Sequence, residues 1–273
     1  MYDADPAPIL QRARGRASVA LSLTGGRTRL DRLHQAGSAK AFLPRVHGAA
    51  PEVVFLNTAG GLTGGDRFRF GLDVGPGAAA VATTQTAERA YASAGGVAGM
   101  EVALTVGTGG ALDWLPQETI LFDRSGLRRR TEIALAGDAR LLWSEIVVLG
   151  RSAMGERVET LDFFDRRMVT RDGVPVMIEP LRIDGAVLAR RDGAAVLGGA
   201  RALATVALVA PGAEGAAGRV RDVAPGVVQA AASGWDGKCV VRALAGDAFE
   251  LKRYVARVLA VLRPGPLPRV WQI

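Results

Sequence analysis

The chain of 273 residues is 49% hydrophobic and 22% charged, the proportions of an ordinary folded domain, which excludes an intrinsically disordered protein. Its formal charge of +7 comes almost wholly from arginine, because Lys40, Lys238 and Lys252 are the only lysines among 34 basic side chains. The arginines are scattered, with one dense run at Arg128-Arg129-Arg130, so solvated strand faces come first, an acidic protein partner second and nucleic acid a distant third.

Residues 1–14 are expected to be flexible, and Met1 to Pro6 shows neither the basic nor the apolar region of a secretory signal. Glu52 to Asn57 is a short apolar run suited to a pleated surface, and Arg67 to Val74 alternates polar and apolar residues at period two. Met100 to Val106 and Arg130 to Leu135 alternate in the same way. With 35 glycines and 13 prolines punctuating the chain, short strands and frequent turns predict an all-β architecture. The longest charge-free stretch, Val74 to Ala87, has 14 residues and includes Pro76, whereas a membrane helix needs roughly 18 or more. A soluble, cytoplasmic protein is expected.

A weak repeat joins Leu72 to Ala78, Leu104 to Gly110 and Ile133 to Ala139, each a strand end, a glycine turn and a small residue. Gly75, Gly107 and Gly137 lie 32 and 30 residues apart, and such glycines supply the positive φ of a tight hairpin. A period near 30 suggests stacked hairpins or coils of sheet, although chance hairpins in a glycine-rich chain would look the same.

The C-terminal third differs. Asp247 and Glu250 resemble a capping box, Leu251, Tyr254, Val255, Val258, Leu259 and Leu262 recur at helical spacing, and Pro264 stops the run, which predicts a helix over 247–262. Ala213 to Val223 is a candidate second helix, weakened by about 1 kcal/mol at each of Gly215 and Gly218. Residues 264–273 are too proline-rich for a helix and too apolar to float free, so they are expected to pack along the body of a single domain spanning 1–273.

Chemistry is thinly signalled. There is no Gly-x-Ser-x-Gly elbow, and Cys239, the one cysteine, sits in a strand pattern, excludes an internal disulfide and reads as a small buried hydrophobe. His34 and His47 are the only histidines, too few with one cysteine for a structural zinc site. The most unusual segment, Asn57-Thr-Ala-Gly-Gly-Leu-Thr-Gly-Gly-Asp66, lacks the lysine of a P-loop and the helix of a dinucleotide fingerprint. It is either a tight turn with Asp66 bonding its own backbone, or a place where something approaches Gly60, Gly61, Gly64 and Gly65 closely. Thr83 to Arg89 reads as cross-strand threonines closed by a Glu88–Arg89 charge pair. Glu145 and Glu179 lie in apolar runs, where a carboxylate either pairs with arginine or lines a wet cavity; the composition favours arginine.

Several of these segments together resemble the urease accessory protein family UreD, also called UreH. Gly60-Gly61-Leu-Thr-Gly64-Gly65-Asp66 is similar to its Gly-Gly-x-x-Gly-Gly-Asp signature, followed in order by Pro76-Gly77-Ala78, Thr83-Thr84-Gln85 and Tyr91. Trp114 to Phe122, Gly150-Arg151 with Gly155-Glu156, and the ending Pro268-Arg269-Val270-Trp271 match further family segments, from about residue 14 to the C-terminus.

The resemblance implies a β-helix-like stack of sheets with about two helices toward the C-terminus. It implies no enzyme but a scaffold that joins UreF and UreG, docks on the urease apoprotein and forms part of a water-filled passage for nickel. No cofactor is held tightly, nickel is in transit, and neither membrane nor nucleic acid is a partner. By motif, the acids linked to that passage are Asp66, Glu145 and Glu179, and Arg67 departs from the acid that usually follows the Gly-Gly-Asp. A conduit should bind its ion weakly at several points, which isolated carboxylates with water can do and a His/Cys cluster cannot. The helix at 247–262 and the tail are candidates for partner contact. The alternative from another class is a β-solenoid hydrolase using a carboxylate pair such as Asp66 and Glu145.

Overall fold

Alternation at period two makes most of the chain strand in the computed structural model, which describes residues 11–45 and 50–272. In chain order the strands are β1 (Arg14–Thr24), β2 (Arg27–Gly37), β3 (Ala39–Phe42), β4 (Glu52–Asn57), β5 (Arg67–Val74) and β6 (Ala79–Gln85). Then come β7 (Glu88–Ala90), β8 (Ala98–Val106), β9 (Ala111–Leu115), β10 (Thr119–Leu121), β11 (Ser125–Leu135) and β12 (Arg140–Leu149). The last five are β13 (Leu161–Arg171), β14 (Val174–Asp184), β15 (Ala202–Val209), β16 (Gln229–Trp235) and β17 (Lys238–Ala245). Three α-helices are α1 (Gly185–Ala189), α2 (Ala216–Arg221) and α3 (Ala248–Leu262).

Seven strands form one sheet in the order β14-β13-β11-β8-β5-β1-β2. Ten form the second, ordered β16-β17-β15-β12-β9-β6-β4-β3, with β10 beside β12 and β7 beside β10. The chain crosses from one sheet to the other and back, so that β5, β8 and β11 stack in parallel in the first while β6, β9 and β12 stack in parallel in the second. This β-solenoid-like arrangement is the all-β architecture that the strand pattern predicts and the β-helix-like stack that the resemblance implies.

The weak repeat marks the corners of these coils, but not as hairpins. Positive φ falls on Gly77 (66°), Gly109 (69°) and Gly137 (53°), whereas Gly75 and Gly107 do not take it. The chain at each corner crosses to the other sheet instead of pairing back on itself, so the first glycine has a different task. A Cβ on Gly107 would lie 2.6 Å from the backbone nitrogen of Pro76 in the adjacent coil. Close stacking of corners therefore demands glycine there. The corners are tied one to the next: Gly77 N–H donates to the Thr108 carbonyl at 2.9 Å, Gly109 N–H to Asp138 at 2.7 Å and Gly137 N–H to Asp172 at 2.9 Å.

β12 is apolar almost throughout because it is covered on both faces. Leu141, Trp143 and Val147 face the core between the sheets, and Leu142, Ile146 and Val148 face a second core under the helices. Glu145, two residues from Trp143, points with it into the inter-sheet core. α3 lies on the outer side of this sheet, burying Leu251, Tyr254, Val255, Val258, Leu259 and Leu262, and the Asp247 carboxylate caps it by accepting from the N–H groups of Phe249 and Glu250.

Among the described residues three α-helices stand where about two were expected. The second candidate divides into a single 3-10 turn, Ala213–Gly215, and α2, while five-residue α1 exists because Asp184 accepts from the N–H groups of Ala186 and Val187. The tail turns its apolar surface inward: Trp271 is buried with its indole N–H donating to the Leu115 carbonyl at 2.9 Å, and Arg263 reaches Asp113 at 2.8 Å. Of the stretch 1–14, residues 1–10 lie outside the described ones, Ala13 is tied to Asp66 and Arg14 opens β1. His47 also lies outside the described residues, and His34 is exposed on β2. Cys239 is buried in β17, where burial pushes its thiol up. Among the described residues no helix is long and apolar enough to cross a membrane.

The two kinds of glycine predict opposite mutational signs. Gly107→Ala should lower stability by about 1–3 kcal/mol through overpacking against Pro76. Gly218→Ala in α2, with nothing within 4 Å of the added methyl, should raise it by about 0.5–1 kcal/mol. Urea denaturation of the two variants checks both.

Candidate functional site

The glycine-rich segment after β4 is a loop folded against its own neighbouring coil. Gly60 (φ 82°) and Gly65 (φ 93°) bend it. A Cβ on Gly61 would meet the Tyr91 ring at 2.4 Å, and one on Gly64 would meet the Ser93 hydroxyl at 2.1 Å and the Gly95 carbonyl at 2.2 Å. What approaches Gly61 and Gly64 closely is thus the chain itself, while a Cβ on Gly60 would meet nothing within 4 Å. Asp66, 4% exposed, closes the loop by accepting from Thr63 N–H and Ala13 N–H, both at 2.8 Å. Arg67 donates to the carbonyls of Asp66 and Val97 at 2.8 Å.

At the start of the loop, the Asn57 amide donates to the Gly61 carbonyl at 3.0 Å and to the Glu88 carboxylate at 3.1 Å. Glu88 borders a cavity of about 70 Å³ between the sheets. The rings of Phe55, Phe70 and Trp114 wall it, and Gln117, Arg129 and Glu145 add polar atoms. Burial pushes the Glu88 carboxyl up to about 7, with the hydrogen bond from Asn57 offsetting part of the rise.

Behind the cavity lies a buried charge network. The Arg129 guanidinium sits 2.8 Å from Glu145 and 2.5 Å from Asp165 and donates to the Thr119 hydroxyl at 2.9 Å. Arg167 donates to Asp165 at 2.7 Å. Two guanidinium groups and two carboxylates balance, as a buried cluster requires. Burial raises the Glu145 carboxyl, and Arg129 offsets only part of that rise. Burial also acts to raise Asp165, yet Arg129 and Arg167 outweigh it and hold that carboxyl low. Trp114 Nε1 and Gln117 Nε2 have no protein partner at the cavity, so it suits water or a hydrated guest.

The three acids named from the sequence do not converge. Asp66 holds backbone N–H groups and does not line the cavity that Glu145 borders. Glu179 on β14 reaches Arg242 of β17 at 2.6 Å, fastening the two sheets near one end. The arginine pairing favoured by composition therefore describes Glu145 and Glu179, and Glu145 borders a polar cavity as well. An acid–base pair of Asp66 and Glu145 has no common cleft in which to work. Among the described residues no group of three or more His, Cys, Asp or Glu side chains is placed to hold a metal ion.

Sequence reading missed Glu88, Asn57, Arg129 and Asp165. Strand alternation carried the signal: adjacent residues point to opposite faces, so Glu88 cannot pair with Arg89 as expected, and the middle arginine of Arg128-Arg129-Arg130 must turn inward when its neighbours turn out.

A family model described as UreD urease accessory protein matches residues 13–272. The chain is 61% identical to a urease accessory protein UreD from Cereibacter sphaeroides, over 98% of each chain. It is 56% identical to the protein of that name from Dinoroseobacter shibae, over 97% of this chain and 94% of the relative. A third, from Paracoccus denitrificans, is 48% identical over 100% of this chain and 97% of its own.

Glu88 makes stability depend on pH. Its carboxyl titrates at about 7 when folded and near 4.5 when unfolded, so between these values the folded chain binds a proton that the unfolded chain releases. Stability must therefore decline as pH rises across that window, by about 3 kcal/mol in all. Glu88→Gln should be more stable than the parent at pH 8, with the difference vanishing toward pH 4.5. Urea unfolding across this range checks it, and a difference independent of pH would contradict it.

Proposed function

The chain belongs to the UreD family of urease accessory proteins and has a role in urease maturation; for the step it performs, we propose a non-enzymatic scaffold that docks UreF and UreG on the urease apoprotein and forms part of the passage delivering nickel. The observation that carries this reading is the polar cavity between two otherwise apolar sheet faces, bordered by Glu88 and Glu145. Carboxylate oxygens and water are weak ligands for nickel compared with imidazole or thiolate, which favours transit over storage. Glu88 holds its proton loosely near neutral pH, so an arriving divalent cation can displace that proton and later be released by its return.

Of the acids first linked to the passage, Glu145 is the one proposed to border it. Asp66 and Glu179 support the reading as fasteners of the loop and of the sheets. The action takes place in the cytoplasm, with nickel as cargo and no resident cofactor.

Co-expression with the urease subunits and the other accessory proteins tests this. Glu88→Ala should leave the accessory complex recoverable by pull-down while lowering the nickel content of urease several-fold. Complete nickel loading with that variant would overturn the cavity's role in the passage, and full urease activity without this chain would overturn the maturation role.

A further inference from the structure

The outer face of the seven-stranded sheet carries a surplus of arginine that packing does not explain. Arg14, Arg67, Gly99 and Arg128 lie side by side on β1, β5, β8 and β11, and the row continues through Phe164 on β13 to Arg182 on β14. The next outward row is Arg16, Arg69, Glu101, Arg130 and Arg166. Three of these register pairs are arginine directly against arginine: Arg14 with Arg67, Arg16 with Arg69 and Arg130 with Arg166. Like charges directly opposite on neighbouring strands destabilise a sheet. A face selected for stability alone would alternate sign.

Carboxylates neutralise only part of it. Glu101 holds Arg69, Asp162 holds Arg128 at 2.6 Å, Glu132 holds Arg130 and Asp184 holds Arg182 at 3.0 Å. The eight arginines of these two rows and the four carboxylates that hold them sum to +4. Arg14, Arg16 and Arg166 have no carboxylate within 4.0 Å among the described residues. Arg67, whose side chain lies across Gly99, lines a groove of about 650 Å³ together with Arg128 and Arg166, with Phe164 at its margin. A second groove of about 720 Å³ adjoins it, lined by Arg16, Arg69 and Arg130.

We propose that these two adjoining grooves form a docking surface for an acidic segment of a protein partner, whose carboxylates take the bidentate guanidinium sites and relieve the arginine–arginine repulsion. Charge complementarity commits the occupant to carboxylates. A polyphosphate backbone would meet Glu101, Asp162 and Glu132 within the face, and single-stranded nucleic acid would find one half-buried ring, Phe164, where it needs stacking platforms. Arginine is the residue type that recognises carboxylate through a planar fork, and these rows contain no lysine. The surface lies outside the inter-sheet cavity and does not depend on the nickel-passage reading.

The test uses the full chain and a fluorescein-labelled peptide of alternating glutamate and threonine, followed by fluorescence anisotropy at low salt. The peptide should bind, and R16S with R166S should weaken it about tenfold or more, while thermal stability stays level or rises as repulsion is removed. A control with the same charge change on the exposed helices, R190S with R219S, should change binding less than about twofold. Equal loss in the control would overturn the proposal by showing diffuse charge. Absence of peptide binding, or tighter binding of an oligothymidylate of similar length, would overturn it too. A fall in stability of R16S with R166S would contradict the repulsion argument.

Discussion

The Arg129 guanidinium lies between two sheets that otherwise meet through apolar side chains, and its charge requires the others around it. Glu145 comes from β12 in the second sheet, Asp165 from β13 in the first, and the Thr119 hydroxyl from β10 accepts a further hydrogen bond from the guanidinium. The network therefore ties the two sheets by charge as well as by apolar contact, and removing one member would leave a buried charge without its counterion. It also keeps this end of the interior polar. Aromatic packing alone would close it, whereas Glu88, Glu145 and the unpartnered N–H groups of Trp114 and Gln117 favour water.

One alternation sets both surfaces of the first sheet. Along β11, Leu127, Arg129, Thr131 and Ile133 turn inward while Arg128 and Arg130 turn out. Charge inside is matched one for one, because desolvation makes an unmatched charge costly. Charge outside is left unbalanced, because water screens it and the fold tolerates the repulsion. A neutral, wet interior suits an ion that must pass and leave, and an unbalanced exterior suits a partner that supplies the missing carboxylates.

The glycines show how a sequence signal can be right about importance and wrong about cause. In Gly60-Gly61-Leu62-Thr63-Gly64-Gly65-Asp66 the pattern marks a constrained place, and the constraint is the close passage of residues 89–97 of the same chain. In the repeat at 75, 107 and 137 the spacing marks coils, while the positive φ sits at Gly77, Gly109 and Gly137. Neither distinction is visible along the chain, because both depend on which backbone lies one coil away.

The all-β class, the coil period, the helix begun by Asp247 and the pairing of lone glutamates with arginine were legible in the residues themselves, since alternation, capping and the cost of burying charge act locally. Which arginine meets which glutamate was not, because Arg129 and Glu145 lie on different sheets and Arg242 stands 63 positions from Glu179. Stacking alone decided that Asp66 closes a loop, that Glu88 borders a cavity and that scattered arginines on β1, β5, β11 and β13 gather on one face. Lateral register between strands brings together residues about one coil apart, and no local rule encodes that register.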